Sequence, residues 1–375
     1  MILGESESKS DPSPKHERLR DHLMAELAEG RLRPGEALPT ELELSKTTSM
    51  SRNTVRQALA ALERGGLIRR VRGRGTFVHE SARERLKSGL DLYALVIPET
   101  RVGYYPSLQH GFNEAAAAIH NQVIVCDTGN DILRQADAIL QLMDKNVAGA
   151  AIVPASLRPT PGHQLRPLQD RNLPIVFCHR RVEGIRAPLV SFPAVEVGRL
   201  AGRTLAGRGH RRVAYFGAHR SGLAPLYEQG LREALTGAGA GLPDSLIYYD
   251  AVGGGDADHE GRVEAALRKM LAGSERPTAV FCSFDSEAEL IYMALGRMGV
   301  RVPQDLSLMG FGGAWRDGAL QRRLSSVTVD EEQVGRKAVE LLDEMRRRER
   351  PLTDVSEFLL PLSVHAGETV AAAPE

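Results

Sequence analysis

The chain has 375 residues, of which 42% are hydrophobic and 26% charged, and its formal net charge at pH 7 is zero. This length gives room for two or three compact domains. The cysteines Cys126, Cys178 and Cys282 lie far apart without metal-ligand spacing, so we expect buried free thiols rather than a disulfide framework or a metal site. Residues 1–15 are polar and no apolar run approaches membrane-spanning length, so we expect a cytoplasmic protein without a signal peptide.

The charge is unevenly distributed along the chain. Residues 1–88 contain 17 Lys and Arg against 13 Asp and Glu, an excess of +4. The whole chain has 48 basic and 48 acidic residues, so the remainder contains 31 basic and 35 acidic residues. Between Met50 and Thr76, seven arginines accompany a single acid, Glu63. Such a local basic excess is typical of a segment that binds nucleic acid.

The chain begins with residues 1–14, whose Ser, Glu, Lys and Pro content predicts disorder. The next segment, His16–Glu29, is predicted to be a helix with one apolar stripe formed by Leu19, Leu23 and Leu27. We expect this stripe to pack under the helix that follows Ser51.

Two helix starts then follow in close succession. Thr40, with Glu43 three residues later, forms a capping box that predicts a short helix from about Glu41 to about Ser45. Ser51 is a second N-cap and opens a helix. The apolar face of this second helix has three- and four-residue spacing and consists of Val55, Ala58, Leu59 and Leu62.

A basic hairpin completes the motif. Gly65-Gly66 ends the second helix, and two short strands, Leu67-Ile68 and Thr76–Val78, flank the glycine-rich turn Arg72-Gly73-Arg74-Gly75. Two helices, a turn and a basic hairpin predict an α+β winged helix-turn-helix domain, which we expect to span residues 15–79.

The helix after Ser51 carries Arg52, Asn53, Arg56 and Gln57 on one polar face. Arginine suits the edge of guanine, and asparagine or glutamine that of adenine. The surrounding arginines supply the charge that phosphate neutralisation needs. The alternative interpretation is a solvated helix face beside a charged hairpin, which the agreement of caps, helix spacing, wing glycines and charge disfavours.

This segment resembles the N-terminal domain of GntR-type bacterial transcription regulators. The matching residues include Pro34-Gly35, Leu38-Pro39-Thr40-Glu41, Ser51-Arg52, Thr54-Val55-Arg56 and Gly73-x-Gly75-Thr76-Phe77-Val78. The resemblance implies that Arg52, Thr54 and Arg56 contact operator DNA and that Gly73 brings the wing into the minor groove. Leu42 departs from the family, many members of which have arginine there. The predicted DNA-binding residues are Thr40, Ser51, Arg52, Asn53, Thr54, Arg56, Gln57, Arg72, Gly73 and Arg74.

After a charged connector at residues 80–91, either a flexible linker or a short hinge helix, apolar runs alternate with amphipathic helices. The predicted strands are Leu92–Ile97, Gln122–Cys126, Ala150–Val153, Pro174–Cys178, Val213–Phe216, Leu246–Tyr249, Thr278–Cys282 and Leu306–Gly310. The predicted helices span about residues 107–120, 131–146, 195–208, 226–239, 259–272 and 286–298. This alternation predicts an α/β domain over residues 92–366, with parallel sheets covered on both faces.

The length of this second domain exceeds what one sheet needs, so we expect two lobes. Ligands of open α/β sheets bind at the carboxyl ends of the strands, which predicts a ligand in the cleft between the lobes. Residues 367–375 are expected to be a flexible end.

The second domain resembles, along nearly all of residues 92–366, the effector domain of LacI/GalR-type regulators, which are similar to periplasmic sugar-binding proteins. Gly209-His210-Arg211-Arg212-Val213 and Arg301-Val302-Pro303-Gln304-Asp305-Leu306-Ser307 carry the likeness most clearly. By analogy, the lobes are residues 90–188 and 189–311, with further crossings near 312 and 350. A GntR-like domain joined to a LacI-like domain is the organisation of chimeric regulators of the arabinose-repressor type.

Ligand contacts in this fold come from the loops after the strands, where aromatic rings stack on sugar rings and charged groups bind hydroxyls. The predicted ligand-binding residues are Tyr104, Tyr105, Asp127, Ser156, His179, Arg180, Phe284, Asp285 and Trp315. Three groups that bind sugar hydroxyls in relatives are replaced, by Pro225, Phe284 and Gly312-Gly313. These departures predict a less polar pocket and leave open a modified or less polar effector, or a pocket that no longer binds.

The pattern favours a ligand-responsive transcription repressor that binds double-stranded operator DNA as a homodimer and takes a small, sugar-like effector. The alternative is an α/β enzyme with a DNA-binding appendage. Gly253-Gly254-Gly255 lacks dinucleotide-binding spacing, and no Walker A run, nucleophile elbow or metal-binding histidine pair is present, so we expect no catalytic residue, metal or cofactor. A secreted solute-binding protein is disfavoured by the N-terminal DNA-binding motif.

Overall fold

The computed structural model describes residues 14–28, 30–71, 73–82, 92–100, 105–145, 147–250, 258–316 and 318–374. The predictions for residues 1–13, Arg72, residues 83–91 and Tyr104 lie outside the described residues. The chain forms two compact units, one comprising Met1–Leu92 with Ala117–Gln122, and the other comprising Tyr93–Ala116 with Val123–Glu375.

The N-terminal unit contains the predicted winged helix-turn-helix. Its elements are α1 (Lys15–Ala28), α2 (Glu41–Thr48), α3 (Arg52–Arg64), β1 (Ile68–Val71) and β2 (Gly75–Val78), and the two strands pair antiparallel. The sequence predicts an end of α2 near Ser45, whereas the helix continues to Thr48. Thr47 and Thr48 donate their hydroxyls to backbone carbonyls four residues earlier, and the chain leaves the helix at Ser49 with φ 53°.

The core of this unit confirms the predicted packing of α1 under α3. Leu19, Leu23 and Leu27 on α1 are buried in one cluster with the apolar face of α3, which consists of Val55, Ala58, Leu59 and Leu62. Burial of side chains of this size contributes about 1.5–3 kcal/mol each. The polar face of α3 is thereby directed away from the core.

The second unit contains two six-stranded sheets. The first has the order β4 (Gln122–Asp127), β3 (Leu92–Ile97), β5 (Gly149–Ile152), β6 (Ile175–Cys178), β7 (Leu189–Ser191) and β13 (Glu357–Leu359). The second has the order β9 (Ile247–Tyr249), β8 (Val213–Gly217), β10 (Ala279–Cys282), β11 (Ser307–Gly313), β12 (Ser325–Val329) and β14 (Leu362–His365). All pairs from β9 to β12 are parallel, and β14 runs antiparallel to β12.

The helices of this unit confirm the predicted alternation. They are α4 (Tyr105–Ala118), α5 (Ile132–Asp144), α6 (Arg166–Asp170), α7 (Ala194–Gly207), α8 (Ala224–Gly237), α9 (His259–Ala272), α10 (Asp285–Arg297), α11 (Ala319–Arg323) and α12 (Glu331–Arg346). Successive residues of β10 point to opposite faces, since Phe281 packs with α7 and α8, and Val280 packs with α9 and α10. Both faces of the second sheet are therefore buried, as the continuous apolar strands predict.

The crossings between the sheets differ from the sequence-based prediction. Leu189–Ser191 pairs with β6, so the first crossing comes after Ser191 rather than at residue 189. Residue 312 lies inside β11, and β12 remains in the second sheet, so the chain returns to the first lobe only at α12, which packs on β5 and β6. The last crossing lies between β13 and β14, near residue 360 rather than 350.

Glycines allow two helix pairs to pack with their backbones in contact. A Cβ built at Gly198 of α7 would overlap the carbonyl oxygen of Tyr227, and one built at Gly230 of α8 would overlap that of Val195. On α12, a Cβ at Gly335 would overlap the carbonyl oxygen of Leu108 on α4. These contacts fix the positions of α8 and α12, each of which carries a residue of the cleft.

Residues 367–374, predicted to be flexible, are tied to the second sheet. The Thr369 hydroxyl donates to the carbonyl of Leu308 at 2.6 Å and accepts from the backbone N–H of Ser325 at 2.8 Å. Thr369 is buried. Within the described part of the chain, no helix combines the length and the apolar character needed to span a membrane.

Candidate DNA-binding face and ligand cleft

The N-terminal end of α3 presents polar side chains to solvent. Ser51 caps the helix by accepting a hydrogen bond from the N–H of Thr54 at 3.1 Å. Beyond it, Arg52, Asn53, Arg56 and Gln57 are exposed. Side chains at the N-terminal end of a recognition helix are those that reach base edges in helix-turn-helix complexes.

Two of the predicted DNA-binding residues use their hydroxyls within the chain. Thr40 forms a capping box with Glu43, because its hydroxyl accepts from the Glu43 N–H and its own N–H donates to the Glu43 carboxylate at 2.8 Å. The Ser51 hydroxyl accepts a hydrogen bond from the Thr54 N–H and is also hydrogen-bonded to the Thr54 hydroxyl. The structure therefore gives Thr40 and Ser51 a capping role that orients the two helices.

Acidic residues orient some of the cations on this face. Arg56 lies 3.4 Å from a carboxylate oxygen of Glu41, and Arg70 lies 3.7 Å from the other oxygen. Arg52 forms no ion pair with any residue that the structure describes. Its charge is thus free for a phosphate or a base.

The wing turn is built around Gly73. Its φ of +74° lies in the left-handed region, and a Cβ built there would meet nothing within 4 Å. The backbone conformation, not a lack of space, therefore requires glycine. Arg74 beside it is exposed, and Arg72 lies outside the described residues.

Several predicted ligand-binding residues meet where the two lobes face each other. The ring of Tyr105, at the start of α4, lies 6.0 Å from that of His179, which follows β6. His179 has φ 66° and is buried, with Nε2 2.9 Å from a carboxylate oxygen of Glu331. Non-glycine residues rarely adopt this conformation, and those that do are concentrated at functional sites.

Direct contacts join the lobes at the same place. The hydroxyl of Ser156, in the loop after β5, lies 2.9 Å from Nε2 of His219, in the loop after β8. Arg180 donates from Nε to the carbonyl of Pro154 at 2.7 Å, and its Nη1 would lie 3.9 Å from a Cβ built at Gly222. Ser156 and Arg180 therefore face the second lobe, as a cleft position requires.

A cavity of about 990 Å³ lies between the lobes beside these residues. It is large enough for a small-molecule ligand. Its lining comes from both lobes and consists of Asn130, Asp131, Ile132, Leu133, Leu157, Arg158, His219, Arg220, Ser221, Tyr249 and Asp250.

Asp285, a predicted ligand-binding residue, is engaged within the protein. Its carboxylate accepts from Arg316 at 2.9 Å and from the Ser326 hydroxyl at 2.7 Å. Burial raises the pKa of Asp285, and the charge of Arg316 opposes that rise. Cβ atoms built at Gly310 or Gly312 would overlap this carboxylate, so the glycine that replaces a family acid at position 312 makes room for it.

None of the predicted ligand-binding residues that the structure describes belongs to the cavity lining, including Asp127, Phe284 and Trp315. Asp127 is exposed and accepts hydrogen bonds from Thr100 and from the Gly129 N–H, which stabilises the turn after β4. Phe284 is half-buried against the core of the second lobe. Trp315 is 65% exposed.

The predicted site residues include neither the residues that line the cavity nor Tyr227 and Glu331 of the lobe junction. His219 follows β8 and could have been found by the rule that loops after strands supply ligand contacts. Tyr227 lies on α8, where apolar spacing predicts only a helix, and Glu331 begins α12, a helix that was not predicted. Their positions depend on helix packing, which no local signal reports.

The charge states of the cleft follow from burial. Burial lowers the pKa of His219, with a further lowering from the nearby Arg180 charge, so its imidazole is neutral at pH 7. Burial raises the pKa of the Tyr227 hydroxyl well above its ordinary value, so that group keeps its proton.

Both the DNA-binding domain and the α/β domain resemble known proteins. Residues 15–78 match the family of bacterial regulatory proteins, gntR family, and residues 202–370 match the periplasmic binding protein-like domain. The chain is 27% identical over 350 residues to the arabinose metabolism transcriptional repressor of Geobacillus stearothermophilus, covering 90% of this chain and 92% of that protein. It is 28% identical over 249 residues to the ribose operon repressor of Haemophilus influenzae, covering 66% and 72%.

A solved structure shares the fold. The transcriptional regulator CelR–cellobiose complex matches with a TM-score of 0.63 at 23% identity, covering 88% of this chain and all of that chain. The two family matches and the named repressors together show that the chain is a DNA-binding, ligand-responsive transcription regulator of the repressor class rather than an enzyme. It joins a GntR-type helix-turn-helix to a periplasmic-binding-protein-like effector domain, the chimeric organisation predicted from its sequence.

Proposed function

We propose that the chain represses transcription as a homodimer in the cytoplasm, with α3 in the major groove of an operator half-site and the β1–β2 wing beside it. Helix-turn-helix proteins bind paired half-sites about one DNA turn apart, which calls for two copies. The residues proposed to contact DNA are Arg52, Asn53, Thr54, Arg56, Gln57, Arg72, Gly73 and Arg74. Residues 80–91 connect this domain to the sensor.

The exposed, unpaired Arg52 at the capped start of α3 is the observation that carries the proposal. The cap and the apolar face fix the helix, and the neighbouring Asn53 and Gln57 provide amide groups that suit adenine. The exposed Arg74 extends the basic surface into the wing. This arrangement combines base contacts and phosphate contacts in one surface.

The effector in this proposal is a small hydroxylated molecule of the carbohydrate type, bound in the cleft between the lobes. The arabinose and ribose names of the relatives support this class, and so does the cavity with polar groups from both lobes. A ligand that binds one lobe arrangement better shifts the population of that arrangement, and a preference of tens-fold corresponds to about 2 kcal/mol of coupling.

The test is a gel-shift titration of the full chain on duplexes from its own promoter region. We expect Arg52→Ala to lose about 1–3 kcal/mol of operator affinity, because a base or phosphate contact is removed. Arg64→Ala, at the other end of the same helix, is the matched control and should retain affinity. Binding should also fall steeply with added salt.

Two results would contradict this proposal. One is operator affinity that is equal in Arg52→Ala and Arg64→Ala. The other is a wild-type chain that binds no promoter duplex in the presence or absence of metabolites.

A further inference from the structure

Four buried polar atoms at the lobe junction have no hydrogen-bond partner among the residues that the structure describes. They are Nη2 of Arg180, Nδ1 of His219, the hydroxyl of Tyr227 and Oε1 of Glu331, which we call the interlobe polar cluster. Folded proteins pair nearly all buried polar groups, and each exception calls for an explanation. Four exceptions in one place indicate that another molecule provides the partners.

Short contacts show that the cluster is one site. Arg180 follows His179, whose ring lies 2.9 Å from the Glu331 carboxylate. The Phe192 ring lies 5.6 Å from the ring of His179 and 6.5 Å from that of Tyr227. The cluster therefore joins the loop after β6 and the start of α12 to helix α8 of the second lobe.

The loop that carries His219 closes the other side of the cluster. Arg180 Nη1 approaches this loop at Gly222, and His219 is held by Ser156 across the lobe junction. His219 also lines the cavity of about 990 Å³. The other three residues of the cluster do not line it, so His219 is the point at which the cavity meets the cluster.

The guanidinium of Arg180 is the cation of this site. No carboxylate of the described residues lies within 4.0 Å of the Arg180 guanidinium, whereas Glu331 has His179 beside it. An unpaired, partly buried guanidinium attracts an anion, and its planar fork matches a carboxylate or a phosphate.

The lining of the cavity beside the cluster contains two acids and two arginines. Its two acids are already engaged, since Asp131 caps α5 and Asp250 accepts from Arg262 at 2.9 Å. Its two arginines are Arg158 and Arg220, and Arg220 lies over the ring of Tyr249, 4.7 Å from the centroid. The lining therefore places two further guanidinium groups in the cavity that His219 borders.

We infer that the interlobe polar cluster binds a hydroxylated anion, either a sugar acid or a sugar phosphate, whose anionic group pairs with Arg180. Its hydroxyls donate to Oε1 of Glu331 and exchange hydrogen bonds with the Tyr227 hydroxyl and His219 Nδ1. This inference rests on the proposed function and names the class of its effector.

The test compares each neutral sugar with its own anions on the full chain. Calorimetric titrations would use D-glucose against D-gluconate, D-glucuronate and D-glucose 6-phosphate, and L-arabinose against L-arabinonate and arabinose 5-phosphate. We expect an anion of one set to bind at least about tenfold tighter than its neutral parent, the ratio that one charge-assisted hydrogen bond provides. The carboxylate and phosphate arms distinguish the two kinds of anion.

Variants assign this binding to the cluster. Arg180→Gln should lose about tenfold or more in affinity for the anion, and Arg180→Lys should keep part of it, because the charge remains without the fork. Arg268→Gln, which removes an exposed arginine paired with Glu264 on α9, is the charge-matched control and should bind like wild type. The melting temperature of each unliganded variant verifies folding, and Arg180→Lys serves if Arg180→Gln does not fold.

Three outcomes would overturn the inference. In the first, neutral sugars bind as tightly as their anions. In the second, the anion affinity is the same in wild type, Arg180→Gln and Arg180→Lys. In the third, no anion of the panel binds at millimolar concentration. Operator binding measured on the same preparation separates these results from a failure of the proposed function. If a neutral sugar changes the operator affinity and no anion does, the proposed function stands and the anionic class of effector is excluded.

Discussion

The DNA-binding face and the ligand cleft use polar side chains in opposite ways. On the face, Arg52, Asn53 and Gln57 are exposed neighbours on one helix, and the groups that hold the helix are close in sequence. In the cleft, Tyr227 and Glu331 are buried and come from helices far apart in the chain. The face depends on local caps, whereas the cleft depends on packing between distant elements, so substitutions should act on the two regions in different ways.

The largest effect is expected where the cleft depends on backbone contact between helices. Gly230→Ala places a Cβ against the carbonyl oxygen of Val195, which should cost about 3 kcal/mol of unfolding free energy or more and displace Tyr227 on the same helix. Gly237→Ala is the matched control, because nothing lies within 4 Å of its Cβ, and it should stabilise the helix by about 0.5–1 kcal/mol. Urea unfolding followed by the fluorescence of Trp315 measures both. Equal stabilities would show that α7 and α8 are not in backbone contact.

A buried ionic network beside the cavity should make the stability depend on pH. Hydrogen bonds that His259 donates to Glu287, and then to Asp250, raise the pKa of His259 from 6.5 to about 9. Because the folded pKa is the higher one, the stabilisation is complete below the unfolded value of 6.5 and is lost as the pH rises through about 9. The free-energy difference between wild type and His259→Asn should therefore shrink by about 3 kcal/mol over this range, at about 1.4 kcal/mol per pKa unit. A difference that is the same at all pH values would contradict the network.

The smallest effect is expected in the DNA-binding domain, whose helices depend on local caps. Ser51→Ala removes the N-cap of α3 and should cost about 1 kcal/mol of local stability. Ser51→Asn should retain the cap, because asparagine is an equally good N-cap residue. Hydrogen exchange of the α3 amides in the full chain measures the effect. The same exchange rates in wild type and Ser51→Ala would show that the cap does not hold this helix.

The sequence predicted the DNA-binding domain well because its signals are local. The capping box of Thr40 and Glu43, the N-cap Ser51 and the apolar spacing of α3 all lie in one stretch, and the structure contains each of them. Up to Gly313, the strands and helices of the effector domain were also predicted within a few residues, except for the short β7 and α6. The elements that follow, α11, β12, α12, β13 and β14, were not predicted. Three residues carry too little periodicity to identify a strand, and β13 gains its place only by pairing with β7.

The cleft could be predicted in outline but not in its contacts. Asp285 has the position in its loop that suits a ligand contact, yet Arg316 and Ser326 engage it, and neither of them is near it in sequence. Gly312 appeared to be a lost acid, whereas its lack of a side chain makes room for the Asp285 carboxylate. Such pairings depend on which loops meet at the sheet edge, and no single segment of the sequence contains that information.

The late return of the chain to the first lobe has a consequence for its biosynthesis. The N-terminal DNA-binding domain is continuous in sequence, so it can fold while the ribosome is still translating the remainder. The first lobe of the sensor needs α12 and β13, and it therefore stays incomplete until about residue 359 has left the ribosome. A nascent DNA-binding domain is thus present before any complete sensor can regulate it.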